Sequence, residues 1–277
     1  MYLTQQSFLP YVDIALFSKE SIKGNNKYYL EKALFIEDRP SLQDSLQDSL
    51  QDSLPNARIV MIHPDYYEEW SQVILEQKEN INVKYFLIHG SDHHMDDTIL
   101  KPLLIAFPHA SFFIQNYVGF HHQCKLLPIG VNQDYLCSKK KYICKISYVT
   151  YNSYAREEFY IFLNNNQEFT KKYYQVKTDM KTYLQNLSEL YFTVCPMGSG
   201  FDTLRFWEAL MVKTIPIVKK HEFYDTIRHY YPNIPFIEVD DWFHLPDLVD
   251  GLTVKKYNEL MKNFNDECLK ESFWLKN

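Results

Sequence analysis

The stretch of residues 191–218, YFTVCPMGSGFDTLRFWEALMVKTIPIV, constrains the fold of this chain more than any other. It opens with a short apolar run at 191–195, which Pro196 ends, and passes through Gly198-Ser199-Gly200 into a helical segment. A second β-type run follows at 214–218. The pattern predicts a strand, a glycine loop, a helix beginning near Asp202 and a second strand.

The predicted helix carries two charged residues on one face. Arg205 and Glu208 are three residues apart, and the opposite face is apolar, with Leu204, Trp207, Leu210 and Met211. Free backbone amides and about half a positive charge at a helix N-terminus favour an anion such as a phosphate. Arg205 could neutralise a diphosphate and Glu208 could accept hydrogen bonds from a ribose. The alternative is a structural Arg–Glu pair beside an ordinary turn.

The string CPMGSGFDTLRFWEAL followed by TIPIV resembles the donor-binding signature of exostosin-like glycosyltransferases, carbohydrate-active family 47. One departure is Lys213, where that family usually carries a glycine. The resemblance implies a GT-B fold, in which two Rossmann-like α/β domains face each other across a cleft. It also implies a set of donor-binding residues: Arg156, Gly198, Ser199, Gly200, Asp202, Thr203, Arg205 and Glu208.

The N-terminal half alternates β-type and helical segments. The β-type runs are 12–17, 33–37, 58–62, 84–88 and 111–114, and the helical candidates are 66–79 and 98–107. This alternation predicts a doubly wound parallel sheet. A four-residue repeat, SLQDSLQDSLQDSL at 41–54, is interpreted as a surface helix or loop without chemistry.

A polar loop, HGSDHHMDD at 89–97, follows one of these predicted strands. The carboxyl ends of strands are where open α/β sheets bind ligands, so the loop is a candidate for acid–base chemistry. Its IHGSD portion resembles the H-N-S-D loop of exostosin-like proteins, with Gly90 in place of asparagine. Asp92 is the first candidate for the general base and His93 the second. A metal-dependent hydrolase built on His93, His94, Asp96 and Asp97 is a further alternative, although adjacent residues rarely bind one metal.

Two more polar residues are predicted to join the site. Asn116 follows a strand in the run FFIQN, which is similar to a family segment, and is expected at the same sheet edge as Asp92 on the acceptor side. Arg156 lies at the start of a predicted helix, where a cation opposes the helix dipole unless an anion is bound. The resemblance implies that it reaches a donor phosphate, and the alternative is a solvated surface arginine.

The C-terminal half again alternates strands and helices. Predicted strands cover 143–149, 171–176 and 235–239, and predicted helices begin with Asn152 or Ser153 as N-cap and cover 179–190 and 253–276. We therefore predict an acceptor-side domain at 1–135, a donor-binding domain at 142–252 and a C-terminal helix at 253–277 that returns toward the first domain.

Composition limits the functional classes. A net charge of −6 without a long basic block argues against nucleic-acid binding. Five cysteines without CxxC spacing favour reduced thiols over a zinc site. The sequence shows neither a signal peptide nor an apolar run of about 18 residues, which predicts a soluble cytoplasmic protein without membrane insertion.

The resemblance implies an inverting, metal-independent transfer of a sugar to a hydroxyl of a glycan acceptor. The expected donor is a UDP-sugar, with xylose, galactose and glucuronate among the family's donors, and no cofactor is expected. Arg205 would stabilise the leaving diphosphate in catalysis. The alternative function is a non-catalytic nucleotide-sugar or glycan-binding module.

Overall fold

The computed structural model describes residues 12–18, 33–36, 56–131, 138–149, 156–270 and 273. The predicted surface repeat at 41–54 and the predicted cap at Asn152 or Ser153 lie outside them. The chain divides into two compact units with the boundary between Leu127 and Pro128. We call these the N-terminal unit and the C-terminal unit. Both are mixed α/β structures whose described strands all pair in parallel.

The N-terminal unit is built on a six-stranded sheet in the order β2-β1-β3-β4-β6-β8. These strands are β1 (Ile14–Ser18), β2 (Ala33–Ile36), β3 (Ile59–Ile62), β4 (Tyr85–Ile88), β6 (Ser111–Ile114) and β8 (Cys124–Leu126). A two-stranded sheet joins β5 (Met95–Asp96) to β7 (Tyr117–Val118). The described helices are α1 (Tyr67–Glu76) and α2 (Asp97–Ala106), with 3-10 turns at Pro64–Tyr66 and Lys78–Asn80. The predicted strands and helices of this half are confirmed.

The central strands of this sheet have apolar residues at successive positions, and polar residues do not alternate with them. In β3 and β4 the last three residues are all buried, because covering layers lie on both faces of a parallel sheet. Helix α2 begins where Asp96 accepts hydrogen bonds from the backbone N–H groups of Thr98 and Ile99, both at 2.8 Å. The parallel arrangement brings the loops after β3, β4 and β6 to one sheet edge.

The C-terminal unit contains a four-stranded sheet in the order β12-β11-β10-β9. Its strands are β9 (Tyr142–Lys145), β10 (Leu190–Val194), β11 (Ile215–Lys219) and β12 (Ile237–Val239). Its described helices are α3 (Glu157–Asn165), α4 (Gln167–Tyr173), α5 (Met180–Ser188), α6 (Leu204–Met211), α7 (Glu222–Tyr230), α8 (Leu245–Asp250) and α9 (Val254–Met261). Short 3-10 turns lie at Trp242–His244 and Glu267–Leu269. Phe159, Phe162, Phe192 and Trp242 are among the large side chains of its core.

The strand predicted at 171–176 is wrong. Helix α4 runs through Tyr173, and only Tyr174 forms an isolated parallel bridge, to Ile146. Phe169 and Tyr173 are four residues apart and both pack against the core, which is a helical period. The strand-like pattern of KKYYQV at 171–176 therefore comes from the end of helix α4 and the β-bridge of Tyr174.

The C-terminal helix is shorter than the predicted 253–276, since α9 ends at Met261. Beyond it, the Asn265 side chain accepts a hydrogen bond from the Glu267 backbone N–H at 2.8 Å, a local bond that competes with helix continuation. The ring of Tyr257 packs against Tyr191 at 4.9 Å and Phe192 at 6.0 Å, both on β10 of the same unit. Among the described residues, no helix combines the length and the apolar character needed to cross a membrane.

Lys213 occupies the turn between α6 and β11 in a left-handed conformation, with φ of 57°. Its backbone N–H donates to the Leu210 carbonyl at 2.9 Å, and the next N–H, of Thr214, donates to Ala209 at 2.8 Å. Such turns after a helix usually hold glycine, because a Cβ is strained at positive φ. Lys213 stands where exostosin-like glycosyltransferases usually have glycine, and it therefore adopts this turn with local backbone strain.

Replacing Lys213 with glycine is expected to raise the free energy of unfolding by about 1 kcal/mol, because the strain at positive φ disappears. Thermal denaturation would show a rise of about 2–4 °C. Lys213→Ala is the matched control, because it removes the charged chain and keeps the strained Cβ. A glycine variant no more stable than the alanine variant would contradict the strain.

Candidate functional site

The loop after β10 and the first turn of α6 form the centre of the candidate site. Gly198 is buried, and a Cβ at that position would lie 3.2 Å from Nη2 of Arg156, so a larger residue would push on the guanidinium. The Gly198 N–H donates to the Gly200 carbonyl at 3.2 Å, which closes the loop, and Ser199 is exposed at its tip. The loop therefore presents backbone at the carboxyl edge of the sheet.

Arg205 lies in the first turn of α6, where the helix dipole makes a second positive charge unfavourable. Its Nη2 donates to the Tyr148 carbonyl, in the loop after β9, at 2.9 Å. Its Nη1 is buried and has no hydrogen-bond partner among the described residues. A buried guanidinium nitrogen without an acceptor is costly, and an anion at this point would relieve both the dipole and the missing bond.

Arg156 reaches the same loops from the opposite side. It precedes α3, and its Nε donates to the Met197 carbonyl, in the loop after β10, at 3.0 Å. Arg205, which follows β10 in the chain, thus donates a hydrogen bond to the loop after β9. Arg156, which follows β9, donates a hydrogen bond to the loop after β10. We call this the crossed arginine pair. The alternative of a solvated surface arginine does not describe Arg156, which is partly buried and tied to the glycine loop.

Glu208 lies one turn deeper in α6 and is 3% exposed. The structural Arg–Glu pair considered from the sequence is not formed, since among the described residues no ion pair joins Arg205 to Glu208. Its carboxylate lies beside two buried groups, the Tyr183 hydroxyl and the Cys195 thiol. Burial raises the pKa of the Cys195 thiol to about 12; Arg205 opposes this rise and Glu208 adds to it.

Two hydroxyls close to this centre are buried without a hydrogen-bond partner among the described residues. They are Oγ of Ser147, after β9, and Oγ1 of Thr203, at the N-cap position of α6. Thr203 also approaches the glycine loop, with its Cγ2 3.8 Å from where a Gly198 Cβ would be. Together with Nη1 of Arg205, these atoms leave unsatisfied polar groups at the carboxyl ends of β9 and β10.

The resemblance placed Asp202 in the donor site. In this structure its carboxylate accepts hydrogen bonds from two other parts of the C-terminal unit. One carboxylate oxygen accepts from the Ile129 N–H at 2.7 Å, and the other accepts from Nε1 of Trp207. The side chain is 2% exposed. Its contacts fix the start of α6 to the segment that enters the unit.

In the N-terminal unit, Asp92 and His93 lie in the loop after β4 and are exposed. The preceding residue anchors the loop: the Ser91 hydroxyl donates to the Asp65 carboxylate and accepts from the His93 N–H at 3.1 Å. Asp65 follows β3, so this bond links two neighbouring strand ends. Sequence reasoning did not single out Ser91 or Asp65.

Asn116 is fully buried, with φ of 53°, and so is not open to solvent. Its Nδ2 donates to the Ser91 carbonyl at 3.1 Å, and Nε2 of Gln115 donates to the same carbonyl at 3.1 Å. Oε1 of Gln115 accepts from the Gly90 N–H at 3.0 Å. The end of β6 therefore positions the loop that carries Asp92. The run QN after a strand predicted Asn116 as a site residue, whereas its neighbour Gln115 was not predicted.

The four proposed metal ligands of the loop have other surroundings. Asp96 caps α2, and Asp97 accepts a hydrogen bond from the Tyr117 hydroxyl. His93 and His94 are exposed. Among the described residues, no group of three or more His, Cys, Asp or Glu side chains is arranged to hold a metal ion.

Two buried histidines lie beneath this loop. Burial lowers the pKa of His63, and burial together with the charge of His63 lowers the pKa of His89 to about 4. His89 is 3% exposed, and its Nε2 has no hydrogen-bond partner among the described residues. Both imidazoles are therefore neutral near neutral pH.

The stability of the protein is expected to fall as pH drops from about 6.5 to about 4, because the unfolded chain binds a proton that folded His89 rejects. Above that window the contribution is constant. His89→Gln should remove up to about 3 kcal/mol of this dependence, measured by urea denaturation across the pH series. His109→Gln, an exposed histidine of the same unit, is the control. Equal pH profiles for wild type and His89→Gln would contradict the assignment.

A comparison with protein families gives one match. The family model described as RXYLT1 C-terminal domain matches residues 126–266, which cover the described C-terminal unit almost entirely. The glycine loop, the crossed arginine pair and Glu208 all fall inside this range. A search of curated proteins returns no significant match.

Proposed function

Because the chain belongs to the RXYLT1 C-terminal domain family, a glycosyltransferase-type (xylosyltransferase) family, we propose that it transfers a sugar from UDP to a hydroxyl group of a glycan. The proposed outcome is inversion at the anomeric carbon. UDP-xylose is the first donor to test, given the family, with galactose and glucuronate next. The observation that carries the proposal is the buried Nη1 of Arg205 at the N-terminus of α6, for which the described part of the chain offers no hydrogen-bond partner.

The crossed arginine pair is proposed to bind the diphosphate. Two guanidinium groups, each hydrogen-bonded to one of two adjacent loops, place positive charge at the carboxyl ends of β9 and β10. The backbone amides of Ser199 and Gly200 and the hydroxyl of Thr203 are proposed to add donors. Fixed cations and amides aimed at a leaving diphosphate stabilise the charge that develops during transfer, so the proposal needs no metal ion.

Glu208 is proposed to accept hydrogen bonds from the ribose hydroxyls. Hydrogen-bond donors stabilise the ionised form of a buried carboxylate, and a ribose offers two hydroxyls to Glu208, which is 3% exposed. Glu208 lies on the same helix as Arg205, one turn deeper. Asp202 is proposed to position α6 and not to contact the donor.

Asp92 is proposed as the general base and His93 as the second candidate. The base removes the proton from the acceptor hydroxyl while its oxygen forms a bond to the anomeric carbon. The bond from that carbon to the diphosphate oxygen breaks, and UDP leaves with its charge held by Arg205 and Arg156. In this proposal the two units form the halves of a GT-B enzyme, with the acceptor on the N-terminal unit, where Asn116 positions the base loop.

The proposal is tested by thermal stabilisation of the purified protein with UDP-xylose, UDP-galactose, UDP-glucuronate, UDP and GDP, each with and without EDTA. A ligand at 100 times its Kd is expected to add about 2.7 kcal/mol of stability. Stabilisation by UDP-sugars that EDTA does not change supports the donor site, and release of UDP with a glycan acceptor supports the enzyme. Binding without any turnover or donor hydrolysis would favour the non-catalytic module. No response to any nucleotide would overturn the donor site.

A further inference from the structure

An open cavity of about 400 Å³ lies in the C-terminal unit, away from the glycine loop. Its walls come from the segment before β12 and from the end of α9. Since β10 and β12 both pair in parallel with β11, the start of β12 and the loop after β10 are at opposite ends of the sheet. Among the described residues that line the cavity, none belongs to the proposed donor site. Its volume is in the usual range for small-molecule sites, about 300–1,000 Å³.

Much of the cavity lining is apolar. Ile234 is 7% exposed and Phe236 is 8% exposed, and Leu260 on α9 is partly buried. Pro232 and Pro235, in the same segment as Ile234, restrict the backbone, because a proline ring fixes the φ angle. A ligand with an apolar face can therefore cover these side chains at a small cost in chain ordering.

Two asparagine side chains supply polar groups to the same cavity. Asn233 and Asn263 line it, both are exposed, and neither side-chain amide makes a hydrogen bond to another described residue. A primary amide offers two N–H donors and a carbonyl acceptor, and each hydroxyl of a sugar both donates and accepts. The two amides therefore suit a ligand with several hydroxyl groups.

The charges around the cavity favour a neutral ligand. Arg228 is the cation among the described lining residues, and its guanidinium pairs with Glu238 at 2.5 Å and with Asp225 at 3.6 Å. The same guanidinium lies over the Phe236 ring, 4.4 Å from its centroid. Two carboxylates thus face one guanidinium, which leaves no excess positive charge to attract a phosphate or a sulfate. Since its groups are already engaged, Arg228 is not among the ligand contacts inferred here.

We propose that this cavity binds a neutral sugar unit of a glycan, at a site separate from the donor site. The C–H face of the sugar ring covers Ile234 and Leu260, and its hydroxyls form hydrogen bonds with Asn233 and Asn263. The site does not require the proposed transfer reaction, because a non-catalytic glycan-binding protein would use it in the same way. In a glycosyltransferase, a second sugar site would raise the effective concentration of a long acceptor chain at the enzyme.

The test is a titration of the full chain with methyl β-xyloside, methyl β-galactoside, methyl β-glucoside and xylotetraose, followed by NMR. At least one of these neutral sugars is expected to bind, and the double variant Asn233→Ala/Asn263→Ala is expected to raise its Kd about tenfold, because hydrogen bonds from two side chains are lost. Both positions are exposed, so the fold should not change. Asn258→Ala is the matched control, an exposed asparagine of α9 outside the cavity, and should bind as wild type does.

Methyl β-glucuronide tests the charge argument, since it is methyl β-glucoside with a carboxylate in place of the hydroxymethyl group. It is expected to bind more weakly than the glucoside, and equal or tighter binding would overturn the assignment of a neutral ligand. No binding of any neutral sugar, or binding that the double variant leaves unchanged, would overturn the site. Calorimetry with UDP is a separate readout: the double variant should keep the wild-type affinity. A wild type that does not bind UDP would count against the proposed donor site and not against this cavity.

Discussion

Replacement of Arg205 by methionine is expected to lower the rate of sugar transfer about 100- to 1000-fold, the usual effect of removing one donor aimed at developing charge. Methionine keeps much of the apolar volume and removes every guanidinium donor. The loss should exceed that of Arg156→Met, because Arg205 has a buried nitrogen that no described residue accepts a hydrogen bond from. Initial rates at saturating and limiting UDP-sugar would separate the effect on kcat from that on KM.

Arg228→Met is the control for Arg205. Arg228 belongs to α7 of the same unit, is about half exposed and pairs with Glu238 at the surface. Its loss changes the net charge equally and should leave turnover near wild type. If Arg205→Met and Arg228→Met had similar rates, the guanidinium at α6 would have no part in the reaction.

Replacement of Asp92 by asparagine is expected to lower turnover about 100- to 10,000-fold, the range for loss of a general base. Asparagine is nearly isosteric and cannot accept the proton. Because Asp92 is exposed and its backbone loop is held by Gln115 and Asn116, the fold and the UDP affinity should be unchanged. Kinetics with a glycan acceptor and calorimetry with UDP together test both halves of this expectation.

Glu79→Gln provides the comparison for Asp92, since it neutralises an exposed carboxylate in the 3-10 turn that precedes β4, whereas the loop with Asp92 follows β4. It should leave turnover unchanged. Full activity of Asp92→Asn would remove Asp92 from the mechanism. In that case a large loss in His93→Gln would assign the base to His93.

The elements around the glycine loop could be predicted because their signals are contiguous. Proline, glycines and an amphipathic run follow one another in residues 191–218, so strand, loop and helix could each be assigned from neighbours in the sequence. By contrast, KKYYQV carries both a helical and an alternating pattern, and tertiary packing decided in favour of α4.

The environment of the site could not be predicted, because it depends on residues far apart in the chain. The guanidinium of Arg205 contacts the Tyr148 carbonyl and the Tyr183 ring, which come from two other parts of the chain. The burial of Asn116 requires the Ser91 carbonyl from the neighbouring loop. A helical wheel gives the face of each side chain and not the partner that meets it. The placement of the two units in a GT-B cleft stays a prediction.

The three side-chain amide bonds from Gln115 and Asn116 to residues 90 and 91 make two separate sequence segments into one functional module. A loop graft that transferred residues 89–94 alone would lack the Gln115 and Asn116 side chains that fix the loop conformation. Any exchange with a related enzyme, by an engineer or by recombination, would therefore have to move the end of β6 together with the loop after β4. In the proposed function, acceptor preference therefore depends on two neighbouring strands together.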